Sequence, residues 1–163
     1  MTWRLTRREF TAGKGAGNRR ALRELVEAGR ATGCLAFAGD ECVGWCSVAP
    51  RAEFAALQGM RSLRTDWDAG TWSVTCFFIR RDWRGRGVSA RLLAAAVALA
   101  RERGATRLEG YPAPITAGFA GRPMPAAFAW TGLPQVFERA GFRSLPDPPG
   151  RRPIFVRRFR PRP

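Results

Sequence analysis

The clearest pattern of hydrophobic and polar positions lies between residues 72 and 104. Residues 72–80, WSVTCFFIR, form an apolar run rich in β-branched and aromatic side chains, which is typical of a buried strand. Residues 88–103 repeat leucine, alanine and valine at helical spacing, which predicts a long helix with one apolar face. The joint between them, residues 81–89 with the sequence RDWRGRGVS, therefore predicts a tight turn from strand to helix.

This turn has the chemistry of an anion site. Gly85 and Gly87 allow the backbone to turn sharply and leave no Cβ in the way of an approaching molecule. The first turn of the following helix has unpaired N–H groups and the positive end of the helix dipole. Arg84 and Arg86 add positive charge beside it. The sequence therefore predicts a site for a phosphate or pyrophosphate group.

The turn does not match the common phosphate-binding motifs, because it contains neither a P-loop nor a dinucleotide fingerprint. It resembles the signature of the GNAT superfamily of N-acetyltransferases, [QR]-x-x-G-x-[GA]. Here the motif reads Arg84-x-x-Gly87-x-Ser89, with serine at the final small position. This resemblance implies acetyl-CoA as co-substrate, with its pyrophosphate held by main-chain amides.

The resemblance also implies which residues bind the cofactor. The amides around Phe78 and Ile79 would hold the pantetheine arm or the thioester carbonyl, and those from Arg86 to Ala90 would hold the pyrophosphate. The complete expected set is Phe78, Ile79, Arg84, Gly85, Arg86, Gly87, Val88, Ser89 and Ala90.

The remaining patterns predict an α/β (α+β) fold. Strands are expected at 2–7, in a hairpin over 34–51, and at 105–112, 142–145 and 154–159; helices are expected at 16–28, 51–60 and 131–142. This order matches the GNAT architecture, a mixed and mostly antiparallel central sheet flanked by helices. Its fourth and fifth strands form a parallel pair, here residues 72–80 and 105–112. We expect residues 1–163 to form a single domain. The Pro/Gly/Ala-rich segment 112–130 has a length that is typical of a functional cover or of a partly disordered loop.

Charge and composition narrow the function further. The chain has 28 basic and 13 acidic residues, a net charge of +15, which favours polyanionic partners such as nucleic acid or a phosphate-rich cofactor. A solvated basic surface is the favoured interpretation, and nucleic-acid binding is the less favoured one. No apolar run is long enough to span a membrane, and the N-terminus lacks the apolar core of a signal peptide. We therefore expect a cytoplasmic protein without a membrane partner.

The cysteine and histidine content argues against a metal. The four cysteines form no C-x-x-C pair and there is no histidine, so we expect reduced thiols and no metal site. The absence of histidine also removes the commonest general base. Residues 137–142, FERAGF, resemble the Y-x-x-x-G-F of the GNAT family, whose tyrosine protonates the departing thiolate in many members. In this chain Phe137 replaces that tyrosine.

Two residues on the predicted strand at 105–112 are candidates for proton transfer. Glu109 is a candidate general base, and Tyr111, on the same face by two-residue alternation, is a candidate substitute for the missing acid. An ordinary strand residue and a packing residue are the respective alternatives. Cys76 could accept an acyl group, but without histidine nothing lowers the pKa of its thiol, so a covalent route is less favoured than direct transfer.

The sequence thus predicts an N-acetyltransferase that moves an acetyl group from acetyl-CoA to a primary amine by direct attack in a ternary complex. A small-molecule amine or a peptide N-terminus is the expected acceptor. A catalytically weak acyl-CoA-binding regulatory module and a basic nucleic-acid-binding protein are the alternatives. The family is often dimeric, so a homodimer remains an open alternative.

Overall fold

A computed structural model describes residues 2–30, 32–114, 129–146, 148 and 152–160. Within these ranges the helices are α1 (Arg7–Ala12), α2 (Ala16–Glu27), α3 (Ala55–Gly59), α4 (Val88–Glu102) and α5 (Pro134–Arg139). The strands are β1 (Gly33–Ala38), β2 (Glu41–Pro50), β3 (Thr71–Ile79), β4 (Arg107–Gly110), β5 (Arg143–Ser144) and β6 (Phe155–Arg158). Short 3₁₀ turns cover Arg51–Glu53, Arg61–Leu63 and Arg81–Trp83. None of the helices in these ranges is long and apolar enough to cross a membrane.

The six described strands form one sheet in the order β1-β2-β3-β4-β6-β5. The pairs are antiparallel except for β3 and β4, which run parallel from Thr71↔Arg107 to Val74↔Gly110. This arrangement confirms the predicted mixed, mostly antiparallel sheet with a parallel pair between residues 72–80 and 105–112. The parallel pair requires a crossover, and α4 supplies it.

The predicted strand at residues 2–7 is wrong. Residues 2–5 form a turn and bend, and the chain enters α1 at Arg7. Thr6 and Glu9 form a capping box, in which the Thr6 hydroxyl accepts from Glu9 N–H and the Glu9 carboxylate accepts from Thr6 N–H. The alternating apolar residues before it, Trp3 and Leu5, resemble a strand only because Trp3 is needed in a core formed by distant segments.

The sheet is covered on both faces. On one face, α4 and α5 pack against the sheet through a cluster that includes Val74, Phe77, Leu92, Leu93 and Phe137. On the other face, a second cluster contains Trp3, Phe54, Leu57, Leu63, Tyr111 and Ile154. Trp72, Val74 and Phe77 of β3 belong to the first cluster, whereas Ser73 contacts Tyr111 of the second, so the side chains of one strand reach both faces. Most of the predicted cover, including residues 115–128, lies outside the described residues.

Candidate active site

A turn with unpaired amides joins β3 to α4. We call residues 84–89 the amide turn. Gly85 and Gly87 both adopt positive φ, 75° and 76°, and Gly87 is the N-cap of α4 without any side-chain cap. A Cβ at either glycine would meet nothing within 4 Å, so glycine is required here by backbone conformation and not by crowding. The space above both residues is open to a ligand.

The amide turn presents five consecutive N–H groups. Those of residues 85–89 have no hydrogen-bond acceptor among the described residues, whereas Ala90 N–H donates to Gly87 O at 3.1 Å. The run of free amides therefore ends at Ser89, and Ala90, part of the predicted set, has its N–H occupied within the chain. Free N–H groups at a helix start bind anions well. The turn fits a pyrophosphate group.

Two arginines frame the amide turn. Arg84 Nε donates to Ile79 O at 3.1 Å, so this side chain folds back over the end of β3. The Arg86 guanidinium lies 5.1 Å from the centre of the Trp83 ring. Both arginines are exposed, as are Gly85 and Gly87. Positive charge therefore lies on both sides of the free amides.

Beyond Val74, β3 continues without β4 beside it, and this leaves an open edge. Phe77 N–H donates to Trp130 O at 2.7 Å across this edge. On the other side of β3, Arg80 N–H donates to Val43 O on β2 at 2.9 Å. Strand alternation then turns the amide of Phe78 towards β2 and that of Ile79 towards the open edge. Of the two strand amides predicted to contact the cofactor, only that of Ile79 faces the opening.

Phe137 packs in the core beside this open edge. Its ring is fully buried and contacts Phe77 and Phe142 edge-on. A Cβ at Gly110 would lie 2.7 Å from Phe137 Cζ, and one at Gly132 would lie 2.7 Å from Phe137 Cε2. Glycine at both positions makes room for the ring. The residue that replaces the family's tyrosine is thus an integral part of the core beside the site.

The predicted proton-transfer residues, Glu109 and Tyr111, do lie together. Tyr111 OH donates to Glu109 Oε2 at 2.7 Å, and both side chains are fully buried. Glu109 also accepts from Arg51 Nη1 at 3.1 Å, from Thr65 Oγ1 at 2.9 Å and from Arg107. Both carboxylate oxygens therefore have two donors each. We call this set the Glu109 network, with the members Arg51, Thr65, Ser73, Arg107, Glu109 and Tyr111.

Tyr111 is held tightly within this network. Its hydroxyl lies 2.9 Å from Ser73 Oγ and also contacts Arg51. Burial raises the pKa of Tyr111 well above its ordinary value, and the nearby Glu109 charge acts in the same direction. The phenol therefore stays protonated and serves as a hydrogen-bond donor. Arg51 and Arg107 were not predicted. The two-residue alternation that places Tyr111 on the face of Glu109 also places Arg107 there, whereas nothing in the sequence distinguishes Arg51 from the many other arginines.

A cavity of about 190 Å³ lies on the face of the sheet that carries Tyr111, over the part of β3 that extends beyond β4. We call it the aromatic cavity, because four of its walls are Trp3, Trp45, Phe54 and Trp130. Its floor includes Thr75 and Cys76 of β3. Burial raises the pKa of the Cys76 thiol, so this side chain remains protonated at neutral pH. Sequence reasoning did not predict this cavity, whose walls come from four distant segments.

Within the described ranges, no group of three or more cysteine and acidic side chains is placed to hold a metal ion. All four cysteines are free thiols. The chemistry of the site thus rests on main-chain amides, a thiol of raised pKa, buried hydroxyls and guanidinium groups.

Comparison with solved structures gives the same fold. The GNAT domain of S. lividans PAT matches with a TM-score of 0.53 and 21% identity, over 79% of this chain and 61% of that one. Ribosomal-protein-alanine N-acetyltransferase from Brucella melitensis matches with a TM-score of 0.55 and 18% identity, over 87% and 77%. PaiA N-acetyltransferase from Thermoplasma acidophilum, solved with coenzyme A, matches with a TM-score of 0.55 and 12% identity, over 95% and 80%.

At the level of sequence, no curated protein gives a significant match. The sequence model of the acetyltransferase (GNAT) family does match, over residues 1–112, which include β3, the amide turn, α4 and β4. The matched part is more than half of the chain and holds the free amides together with the opened sheet edge. This protein, an acyltransferase, therefore belongs to the acetyltransferase (GNAT) family.

Proposed function

We propose that this protein is an N-acetyltransferase that transfers the acetyl group of acetyl-CoA to a primary amine by direct attack in a ternary complex. The observation that carries the proposal is the run of five free amides in the amide turn, beside the edge where β3 leaves β4. Acetyl-CoA supplies the activated acyl group as a thioester. The proposed reaction forms a C–N bond, breaks the C–S bond, and moves one proton from the amine nitrogen to the leaving sulfur or to solvent.

The proposed cofactor contacts follow from which amides are open. The N–H groups of residues 85–89 bind the pyrophosphate, supported by the charges of Arg84 and Arg86. The Ile79 amide, facing the open edge, orients the pantetheine arm or donates to the thioester oxygen, where negative charge develops. Phe78 and Ala90 are not in this proposed set, because alternation places the Phe78 amide against β2 and Ala90 N–H bonds to Gly87 O.

The acceptor amine enters the aromatic cavity in this proposal. Thr75 and Cys76 line the cavity and belong to the part of β3 that lies beyond β4. An amine in the cavity would therefore lie next to the proposed thioester position. Direct attack is favoured over a route through Cys76, because a thiol with a raised pKa is a poor nucleophile. Placing two substrates side by side supplies much of the rate in such a reaction.

The roles of Glu109 as general base and Tyr111 as general acid stay predictions. The four donors to Glu109 and the raised pKa of Tyr111 favour an alternative, in which both residues position β3 and β4 without exchanging protons. Glu109→Gln distinguishes the two roles. A base predicts that the acidic limb of the pH profile of kcat disappears, whereas a positioning residue predicts an unchanged profile with lower stability.

Mass spectrometry of the products tests the proposed function. The protein is incubated with acetyl-CoA and a panel of small amines and short peptides, and the acetylated products and free thiol are measured together. We expect equal amounts of acetylated amine and released CoA thiol, with no acetylated protein as an intermediate. Thiol release without an acetylated amine, or acetyl-Cys76 that accumulates before the product, would contradict the proposal.

A further inference from the structure

The wall of the aromatic cavity contains a buried cation, Arg4, that forms no ion pair among the described residues. Arg4 lines the cavity and is only 9% exposed. Its guanidinium stacks 4.6 Å from the centre of the Phe54 ring, and Nη1 donates weakly to Arg30 O at 3.4 Å. Nη2 has no hydrogen-bond partner among the described residues. A buried guanidinium with an unused donor is costly unless something pairs with it.

Burial lowers the pKa of Arg4, and the charge of Glu53 opposes this effect only in part. Glu53 forms its ion pair with Arg30, at 3.2 Å, and no ion pair of Arg4 is found in the described part of the chain. The indole Nε1 of Trp3, which also lines the cavity, is a second buried donor with no acceptor among the described residues. Two adjacent residues of the cavity wall thus each have a buried donor without an acceptor among the described residues.

The cavity has no matching site for a cation. None of the described residues that line it is acidic, and its polar wall groups besides Arg4 are neutral hydroxyls and a thiol. Its volume, about 190 Å³, is many times the roughly 10–15 Å³ that one water requires. The tryptophan and phenylalanine walls favour an apolar or aromatic body. These features together describe a ligand with an anionic end and an apolar body.

We propose that the acceptor of this enzyme is a small primary amine that also carries a carboxylate on an apolar or aromatic body, and that Arg4 binds the carboxylate. This inference rests on the proposed acetyl transfer. Carboxylates and guanidinium groups form strong charge-assisted hydrogen bonds. Such an acceptor is a zwitterion at neutral pH, so the overall charge of +15 does not repel it as it repels a polycationic amine.

The same charge arrangement helps the reaction. A positive charge beside the bound amine and the absence of acidic wall residues both disfavour the ammonium form. The neutral amine is the nucleophile, so Arg4 raises the reactive fraction of the bound acceptor. Arg4 is therefore a specificity-determining residue in this proposal, and it exchanges no proton.

The test compares three pairs of acceptors that differ only in the carboxylate: L-phenylalanine with phenethylamine, L-tryptophan with tryptamine, and L-leucine with 3-methylbutylamine. We measure kcat/KM for each amine, and binding of the N-acetylated compounds by ligand-observed NMR, which needs no turnover. In at least one pair we expect the carboxylated member to have a kcat/KM at least tenfold higher and to bind detectably more tightly. Arg4→Met, which keeps an apolar stem over Phe54, should remove this preference by raising KM for the carboxylated amine alone.

Arg8→Met is the matched control, because Arg8 is exposed on α1 and should leave the preference intact. Equal kcat/KM and equal binding within every pair would overturn the inference, and so would an equal loss for both members in Arg4→Met. Titration of acetyl-CoA into the same samples separates the two proposals. If acetyl-CoA does not bind, the proposed function fails; if it binds and no pair differs, only the assignment of the acceptor fails.

Discussion

The amide turn and the Glu109 network are two polar regions of one sheet, and they differ in where their hydrogen bonds go. The amide turn is exposed, uses main-chain N–H groups, and leaves five of them without partners among the described residues. The Glu109 network is buried, uses side chains, and fills both oxygens of its carboxylate. A polar group satisfied within the protein stabilises the fold, whereas one left open at a surface is available to a ligand. The difference supports the proposed cofactor site at the amide turn and a structural role for the Glu109 network.

The aromatic cavity lies between these two extremes. It adjoins the Glu109 network, since the Trp3 ring stacks on Tyr111 with 6.1 Å between ring centres. Unlike that network, it has no carboxylate among the described residues that line it. Arg4 and Trp3 each have a buried donor without an acceptor, as do Arg51 and Arg107 in the network at their Nε atoms. In the proposed function, the network supports the cavity wall and the cavity receives the acceptor.

The largest expected effect is a loss of stability when the Glu109 network loses its carboxylate. Glu109→Ala leaves Arg51 and Arg107 buried without their carboxylate, so we expect the free energy of unfolding to fall by about 3–5 kcal/mol. Urea unfolding at pH 7 measures the change. Glu102→Ala, at the exposed end of α4, is the control and should change stability by less than about 0.5 kcal/mol. Equal stability of the two variants would show that the network is not structural.

A smaller loss of stability is expected for a substitution of Phe137, which packs beside the open edge. Phe137→Tyr adds a hydroxyl to a ring already packed against Gly110 and Gly132, so we expect a loss of about 1–3 kcal/mol in unfolding free energy. Because main-chain groups and positioning carry the reaction in this account, kcat should not rise. Steady-state kinetics beside urea unfolding separates the two effects. A clear increase in kcat would indicate that the reaction is limited by the missing acid.

The amide turn and the Glu109 network differ in how well the sequence predicted them. Local signals predicted the first region and its neighbours: the apolar run predicted β3, the two glycines predicted the amide turn, and the helical spacing predicted α4. Each of these signals depends only on neighbouring residues. Tyr111 was placed beside Glu109 correctly for the same reason, since two-residue alternation fixes the face. The alternation did not predict burial, nor the donors Arg51 and Thr65, which come from segments far from Glu109 in the chain.

The misassigned N-terminus illustrates the same limit. Trp3 was interpreted as part of a strand, although its role depends on Tyr111 and Trp130, more than 100 residues away. The capping box of Thr6 and Glu9 was the local signal for α1, and it is visible in the sequence. Arg4 carried no local signal, because its lack of a counter-ion becomes apparent only in the folded chain.

A moderate effect is expected when the network loses one donor. Tyr111→Phe removes hydrogen bonds to Glu109 and Ser73, which predicts a loss of about 0.5–1.5 kcal/mol per bond at pH 7. The pKa of Tyr111 is higher in the folded state than in the unfolded state, so its contribution is complete below about pH 10 and decreases as the pH rises further. The wild type should therefore lose stability above about pH 10 more steeply than Tyr111→Phe. Urea unfolding at pH 7, 9 and 10.5 measures this, and parallel curves would contradict it.

The smallest effect is expected at an exposed ion pair near the amide turn. Hydrogen bonding to Arg80 lowers the pKa of Asp82 to about 2, and this contribution is present above the unfolded pKa near 3.9 and is lost as the pH falls towards 2. Because the pair is exposed, Asp82→Asn should leave the urea midpoint at pH 7 unchanged within error. A clear shift at pH 7 would indicate that the pair helps to hold the turn.

The central claim, that the amide turn binds acetyl-CoA through its backbone, is tested most directly by calorimetric titration of acetyl-CoA into wild type, Gly87→Val and Gly104→Val. Gly87 and Gly104 flank α4 with φ of 76° and 79°, and a Cβ at either would meet nothing within 4 Å, so valine strains the backbone similarly at both. We expect wild type and Gly104→Val to bind alike, and Gly87→Val to bind at least tenfold more weakly while remaining folded. Equal binding by all three proteins, or an equal loss in both variants, would contradict the claim.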